Sequence, residues 1–232
     1  MPYRGVIFDL YGTLIDGWSG AEADLRVTEL GQVLGAPLEP FRQIMESSYT
    51  ERATGALGDV EDMLAALCRR IGYEPEPKRV QRAAALRLIQ FREVLQRPRP
   101  ETSSVLAALR DRGVRVGLIT DCSSETPRLW GELGWNSAIE APLFSWSEGR
   151  RKPDPHLYLS ALARLGLEPE ECLYVGDGGS QELTGAEAVG IEARKVVYLG
   201  HSDRDPLRYD PDLSWDGPSI STLSEVLPLT AG

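Results

Sequence analysis

Four short stretches of the chain hold side chains able to do bond-making chemistry. In "IFDLYGTLI" (Ile7 to Ile15) a hydrophobic run ends on Asp9, with Tyr11, Gly12 and Thr13 just behind it. A carboxylate in that place could cap the following turn, or act as a nucleophile that splits a hard displacement into two easier steps. In "LITDCS" Thr120 offers a hydroxyl to an anionic oxygen, and Asp121 stands next to it. Lys152, in "RKPDPHLY", begins a helical pattern and could neutralise both Asp9 and a substrate anion. "VGDGGSQEL" brings Asp177 and Glu182 around a glycine-rich turn, a set of oxygen donors suited to a hard cation. Each residue alone has a plain reading: turn cap, turn hydroxyl, solvated charge, loose loop. Their order along one chain, each at a strand tip or a helix start, favours a shared site.

The elements that must position these residues can be read from periodicity. Apolar runs precede Asp9 (Gly5 to Phe8), Thr120 (Val114 to Ile119) and Asp177 (Cys172 to Gly176). Runs this short and rich in Val, Ile and Leu predict strands buried on both faces, as in a parallel sheet. Helices are expected over Glu125 to Gly134 and Asp154 to Gly166, each closed by a glycine, and a further strand over Val196 to Leu199. The fold class is therefore α/β, a Rossmann-like parallel sheet whose ligands sit beyond the carboxyl ends of the strands. Residues 16–98 break the alternation with helical patterns only: Ala21 to Gly35, Glu39 to Gly55, Asp59 to Gly72 and Pro77 to Gln96. They predict an inserted all-helical domain, with the sheet domain supplied by residues 1–15 and 99–232. Pro98-Arg99-Pro100 reads as the hinge back into the sheet. The segment His201 to Asp216 is expected to be irregular, with a closing helix near Ser221 to Leu227.

Composition excludes several function classes. An apolar share of 42% suffices for a core, while 26% charged residues suit a water-facing surface. A net charge of −10 argues against nucleic acid as a partner. No stretch approaches membrane-spanning length, and no signal peptide is expected, so the chain reads as a cytoplasmic protein. Cys68, Cys122 and Cys172 show no metal-binding spacing.

The four stretches together resemble, in order, the motifs of the haloacid dehalogenase superfamily of hydrolases. The resemblance implies that Asp9 is the nucleophile, Thr120 the motif-two hydroxyl and Lys152 the motif-three cation, with "GDGGSQEL" as the fourth motif. It also implies that the helical insert is a cap that closes over the site and selects the substrate. Phosphatases of the superfamily carry a second aspartate two residues after the nucleophile. Tyr11 stands there instead, as in members resembling 2-haloacid dehalogenases, whose halide leaves without a proton. A phenol with a pKa near ~10 is a poor base at neutral pH.

The fourth motif resembles the phosphatases. Asp177 and Glu182, with Asp9 and the Tyr11 backbone carbonyl, would hold magnesium. The expected enzyme is a magnesium-dependent phosphatase acting on a small anionic, phosphorylated metabolite, as monomer or homodimer. A metal-independent 2-haloacid dehalogenase is the alternative, and a weakly catalytic binding protein a third. Gly12 and Asp121 are candidate substrate contacts. Arg42 is another, since dehalogenase caps place an arginine against the substrate carboxylate, although helical arginines are more often solvated. Cys122 reads as a small buried thiol. Tyr158, six residues after Lys152, stands where dehalogenases keep an active-site tyrosine, or simply packs.

Overall fold

The computed structural model describes residues 2–198, 210–213 and 215–230. Six strands form one parallel sheet: β1 (Gly5–Phe8), β2 (Arg115–Thr120), β3 (Ala141–Phe144), β4 (Cys172–Gly176), β5 (Glu192–Val196) and β6 (Ser219–Ile220), in the order β3-β2-β1-β4-β5-β6. β1 is buried throughout because it lies between β2 and β4, with Gly5 opposite both Arg115 and Cys172. Its side chains alternate, so Val6 and Phe8 enter the apolar cluster on one face and Ile7 the cluster on the other. That central position brings Asp9, Thr120 and Asp177 together at the carboxyl ends of adjacent strands.

Ten helices accompany the sheet among the described residues. Five follow β1: α1 (Gly20–Leu34), α2 (Leu38–Ser47), α3 (Tyr49–Ala53), α4 (Val60–Arg70) and α5 (Pro77–Leu95). The rest are α6 (Thr102–Asp111), α7 (Glu125–Leu129), α8 (Ser145–Glu148), α9 (Pro155–Leu165) and α10 (Glu182–Ala188). Their ends carry the chemistry that stops and starts helices. Ser19 and Glu22 form a capping box on α1, and Gly35 closes it in the left-handed conformation. Asp154 caps α9 ahead of Pro155, and Gly166 ends it. Helices α1, α2, α4 and α5 bury a core of their own, with Leu30, Phe41, Leu64, Leu67 and Ala83 at its centre.

Several sequence expectations need correction. The pattern over Glu39 to Gly55 is two helices, because the chain turns at Ser48, whose hydroxyl donates to the Met45 carbonyl at 3.3 Å. The helix expected to reach Gly134 ends at Leu129 and tightens into a single 3-10 turn at Trp130–Glu132. The strand expected at Val196 to Leu199 lies earlier, at Glu192–Val196, where Ala193 and Val196 point inward and charged residues fill the other positions. The closing helix is a 3-10 segment, Leu223–Leu229. Most of the tail expected to be irregular lies outside the described residues. No helix among the described residues is long and apolar enough to cross a membrane.

Candidate active site

The sheet delivers Asp9 to a site 4% exposed, where Lys152 Nζ donates to its Oδ1 at 2.6 Å. The same ammonium group donates to Glu182 Oε2, which also accepts from the Tyr174 hydroxyl at 2.9 Å. Glu182 Oε1 accepts the Gly178 N–H at 2.8 Å, so both of its oxygens are bonded. Tyr158 is fully buried and donates its hydroxyl to the Glu182 carbonyl at 3.0 Å. One lysine is thus held between the strand tip of β1 and the first turn of α10.

Two glycines allow this approach. A Cβ on Gly176 would meet Glu182 Oε1 at 2.2 Å, and one on Gly12 would meet Asp177 Oδ2 at 2.4 Å. Gly12 also sits at φ +83°, in the left-handed region that side chains disfavour. Gly12 therefore makes room for Asp177. Asp9, Asp177 and Glu182 can each present an oxygen such that all lie within 4.8 Å of one another.

Burial works against the charges gathered here. Burial lifts the Asp9 carboxyl above the usual carboxylate range, with Lys152 opposing the shift and Asp177 adding to it. Glu182 is raised too, by burial first and then by Asp9. Burial disfavours the Lys152 ammonium, but Asp9 and Glu182 outweigh it and hold its pKa well above that of an ordinary lysine. A divalent cation fits this donor set. Asp9 Oδ2 is buried with no protein partner among the described residues, and Asp177 packs against Gly12 with an oxygen within 4.8 Å of the Asp9 carboxylate. Thr120 Oγ1 is likewise buried without a partner among the described residues, as an anion-binding hydroxyl requires.

Other expected residues have different neighbours. The Tyr11 phenol lies 2.8 Å from Thr126 Oγ1 on α7, and its pKa is pushed up, by burial above all. Asp121 accepts the Lys152 backbone N–H at 3.0 Å and pairs with Arg151 Nε at 3.5 Å, so its carboxylate holds the lysine loop. Arg42 bonds Thr28 at 2.9 Å and pairs with Asp24 at 3.0 Å, both on α1, and the structure does not bring it to the cluster. Cys122 is a buried thiol, its pKa raised by that burial. Three contributors escaped the sequence reading. Tyr174 sits in a buried strand, where a tyrosine reads as packing. Arg87 of α5 and Glu125 of α7 form a buried ion pair beside Tyr11, and no local pattern links residues so far apart.

Comparison with known proteins identifies the family of the chain. The family model for haloacid dehalogenase-like hydrolases matches residues 3–190. A glyceraldehyde 3-phosphate phosphatase of Methanopyrus kandleri is 32% identical over 157 residues, 66% of each chain. A phosphoglycolate phosphatase of Xylella fastidiosa is 27% identical over 98% of this chain and 95% of that one. Among solved structures, a 2-haloacid dehalogenase from Pseudomonas syringae superposes with a TM-score of 0.69 at 24% identity, covering 98% of this chain and 97% of that one, a likeness of fold. The chain belongs to the haloacid dehalogenase-like hydrolase family.

Proposed function

We propose that this hydrolase is a magnesium-dependent phosphatase of a small phosphorylated metabolite, with Asp9 as covalent nucleophile. The observation that carries the reading is the gathering of three acids at one point: an oxygen each of Asp9, Asp177 and Glu182 lies within 4.8 Å of the others. Such a cluster is unfavourable without protons or a second cation, and a halide displacement has no use for it. Phosphatase relatives of moderate identity support the same choice. The enzyme so described works in the cytoplasm on a small anion, with neither nucleic acid nor membrane as partner.

Asp9, Asp177 and the Tyr11 carbonyl would hold magnesium, while Glu182 keeps Lys152 in place. The ion would supply charge neutralisation and polarisation of a phosphoryl oxygen. Asp9 attacks phosphorus, forming an acyl phosphate as the ester P–O bond breaks. Lys152 keeps the nucleophile oriented and balances part of the charge that moves onto the phosphoryl oxygens. Thr120 donates its hydroxyl to one of those oxygens. Tyr11, neutral and fixed against Thr126, does not serve as base, so the leaving alkoxide takes its proton from water. Water then attacks phosphorus, releasing phosphate and restoring Asp9. The helical segment acts as the cap that excludes bulk solvent and selects the leaving group.

Tyr11 favours a second reading, the metal-independent 2-haloacid dehalogenase, in which no acid is needed. Assaying phosphate release from a panel of phosphate esters, and halide release from 2-haloacids, with and without magnesium, separates the two. Magnesium-dependent phosphate release is expected. Halide release that ignores magnesium, with no phosphatase activity, would overturn the assignment.

A further inference from the structure

The two linkers joining α1–α5 to the sheet run side by side. Ile15 and Pro98 form an antiparallel bridge, and the Asp16 N–H donates to the Arg97 carbonyl at 3.3 Å. The Arg99 N–H donates to the Leu14 carbonyl at 3.0 Å. The Arg99 side chain, 8% exposed as a residue, sits where this ribbon meets the nucleophile loop. Its Nη1 pairs with Asp16 at 2.8 Å, and its Nη2 donates to the Gly12 carbonyl at 3.2 Å. The guanidinium carbon lies 3.5 Å from the centre of the Tyr198 ring. That same tyrosine donates its hydroxyl to the Thr13 carbonyl at 3.0 Å, and Thr102 donates to the Leu14 carbonyl at 2.7 Å. Three successive carbonyls, Gly12, Thr13 and Leu14, are therefore each held by a side chain from outside the loop. Arg99 in addition grips the outgoing linker.

We propose that Arg99 is a positioning residue, the joint that ties both linkers of the helical segment to the Gly12 turn. Through that turn it fixes Asp9 and the Tyr11 carbonyl relative to Asp177. A planar fork is what the place requires, since two acceptors in different directions and an aromatic face are met at once. A lysine, a point charge on a flexible stem, cannot meet all three. The inference rests on Asp9 being the nucleophile, whichever leaving group it displaces.

The test compares wild type with Arg99→Met, which keeps length and ring contact, and with Arg99→Lys, which keeps charge. Rates are taken well below the melting transition, with the folded fraction checked by circular dichroism. Because small misplacements of reacting groups cost up to about a hundredfold, Arg99→Met should lower kcat by roughly tenfold to a hundredfold, with KM changed less than about threefold. Arg99→Lys should stay within about threefold of Arg99→Met, and free guanidinium ion should restore part of the rate to Arg99→Ala. Calorimetry with inorganic phosphate and magnesium should show weaker binding to Arg99→Met than to wild type. A kcat for Arg99→Met within about twofold of wild type, or a loss confined to KM, would overturn the proposal. Should Arg99→Met not fold, Arg99→Lys decides, and a wild-type kcat there overturns it equally. If the wild type releases halide rather than phosphate, the same split is read on the haloacid, so the fate of the phosphatase assignment is scored separately.

Discussion

Two buried charge clusters flank the turn after β1, one beside Tyr11 and one at Asp9, and they are built on opposite principles. In one, Arg87 of α5 meets Glu125 of α7, a single cation against a single anion, both nearly inaccessible. Burial alone would raise the Glu125 carboxyl, but Arg87 and nearby donors outweigh it, so its pKa is lowered and the pair stays ionised. In the other, Lys152 is bonded to Asp9 and Glu182 with Asp177 close by, and two of these acids are pushed up instead. A balanced pair closes on itself and serves as a fastening between the helical segment and the sheet. An unbalanced one holds crowded negative charge that bound protons or a bound cation must relieve.

Breaking the unbalanced cluster should have the largest effect on turnover and little on stability. Asp9→Asn should lower kcat by at least about 10⁴-fold, because an amide cannot form the covalent intermediate. Its stability in metal-free buffer should equal or exceed that of wild type, since one of several repelling acids has gone. Steady-state rates paired with urea denaturation read both arms. Residual turnover above a trace would rule out the covalent route.

The balanced pair should behave in the reverse manner. Glu125→Gln or Arg87→Met alone leaves one charge buried and unpartnered, which costs about 3–5 kcal/mol. Replacing both, as Arg87→Met with Glu125→Leu, should recover most of that loss, and the cycle completed by the Glu125→Leu single variant measures the coupling. Single variants as stable as wild type would show that the pair is not a fastening.

Magnesium sharpens the contrast through a smaller effect. At a hundred times its dissociation constant the ion should stabilise wild type by about 2.7 kcal/mol, by linkage. Asp177→Asn should lose most of this increment, whereas Glu125→Gln, unstable as it is, should keep it. The same increment in all three proteins would place the ion elsewhere.

How much of this was legible in the sequence depended on the range of the interaction. Strand tips at Asp9, Thr120 and Asp177 were readable because each apolar run carries its own signal. Helices capped by Ser19, Asp59 or Asp154 were readable for the same local reason. β3 was not seen: it has four residues, includes Pro142, and lies at the sheet edge, where a short run shows no period. β5 was misplaced because Arg194 and Lys195 make half of it look like loop. Glu182 was found, but its bonds to Lys152 and Tyr174 join separate elements and leave no local signal. Arg42 had a suggestive spacing, yet its partners Asp24 and Thr28 are nearby on a neighbouring helix. Nothing along the chain announced Arg87 with Glu125, or Arg99 with Gly12.

The place of β1 between β2 and β4 has a consequence for how the molecule comes into being. Its neighbours are the second and fourth strands in the chain, so its ladders close only after the whole helical insert and most of the sheet have been made. Pairings so distant in sequence pay their loop-closure entropy before any contact rewards it, and they form late. Helices α1–α5, by contrast, pack on one another within a single continuous segment, α1 against α2 and α5 and α4 against α5, and can assemble before β4 is made, while the chain is still emerging. Asp9, the proposed nucleophile, is among the first residues synthesised and among the last to find its surroundings. Until then it is an ordinary solvated aspartate on an unpaired strand, and a chain truncated before β4 would carry Asp9 without Asp177 or Glu182 beside it.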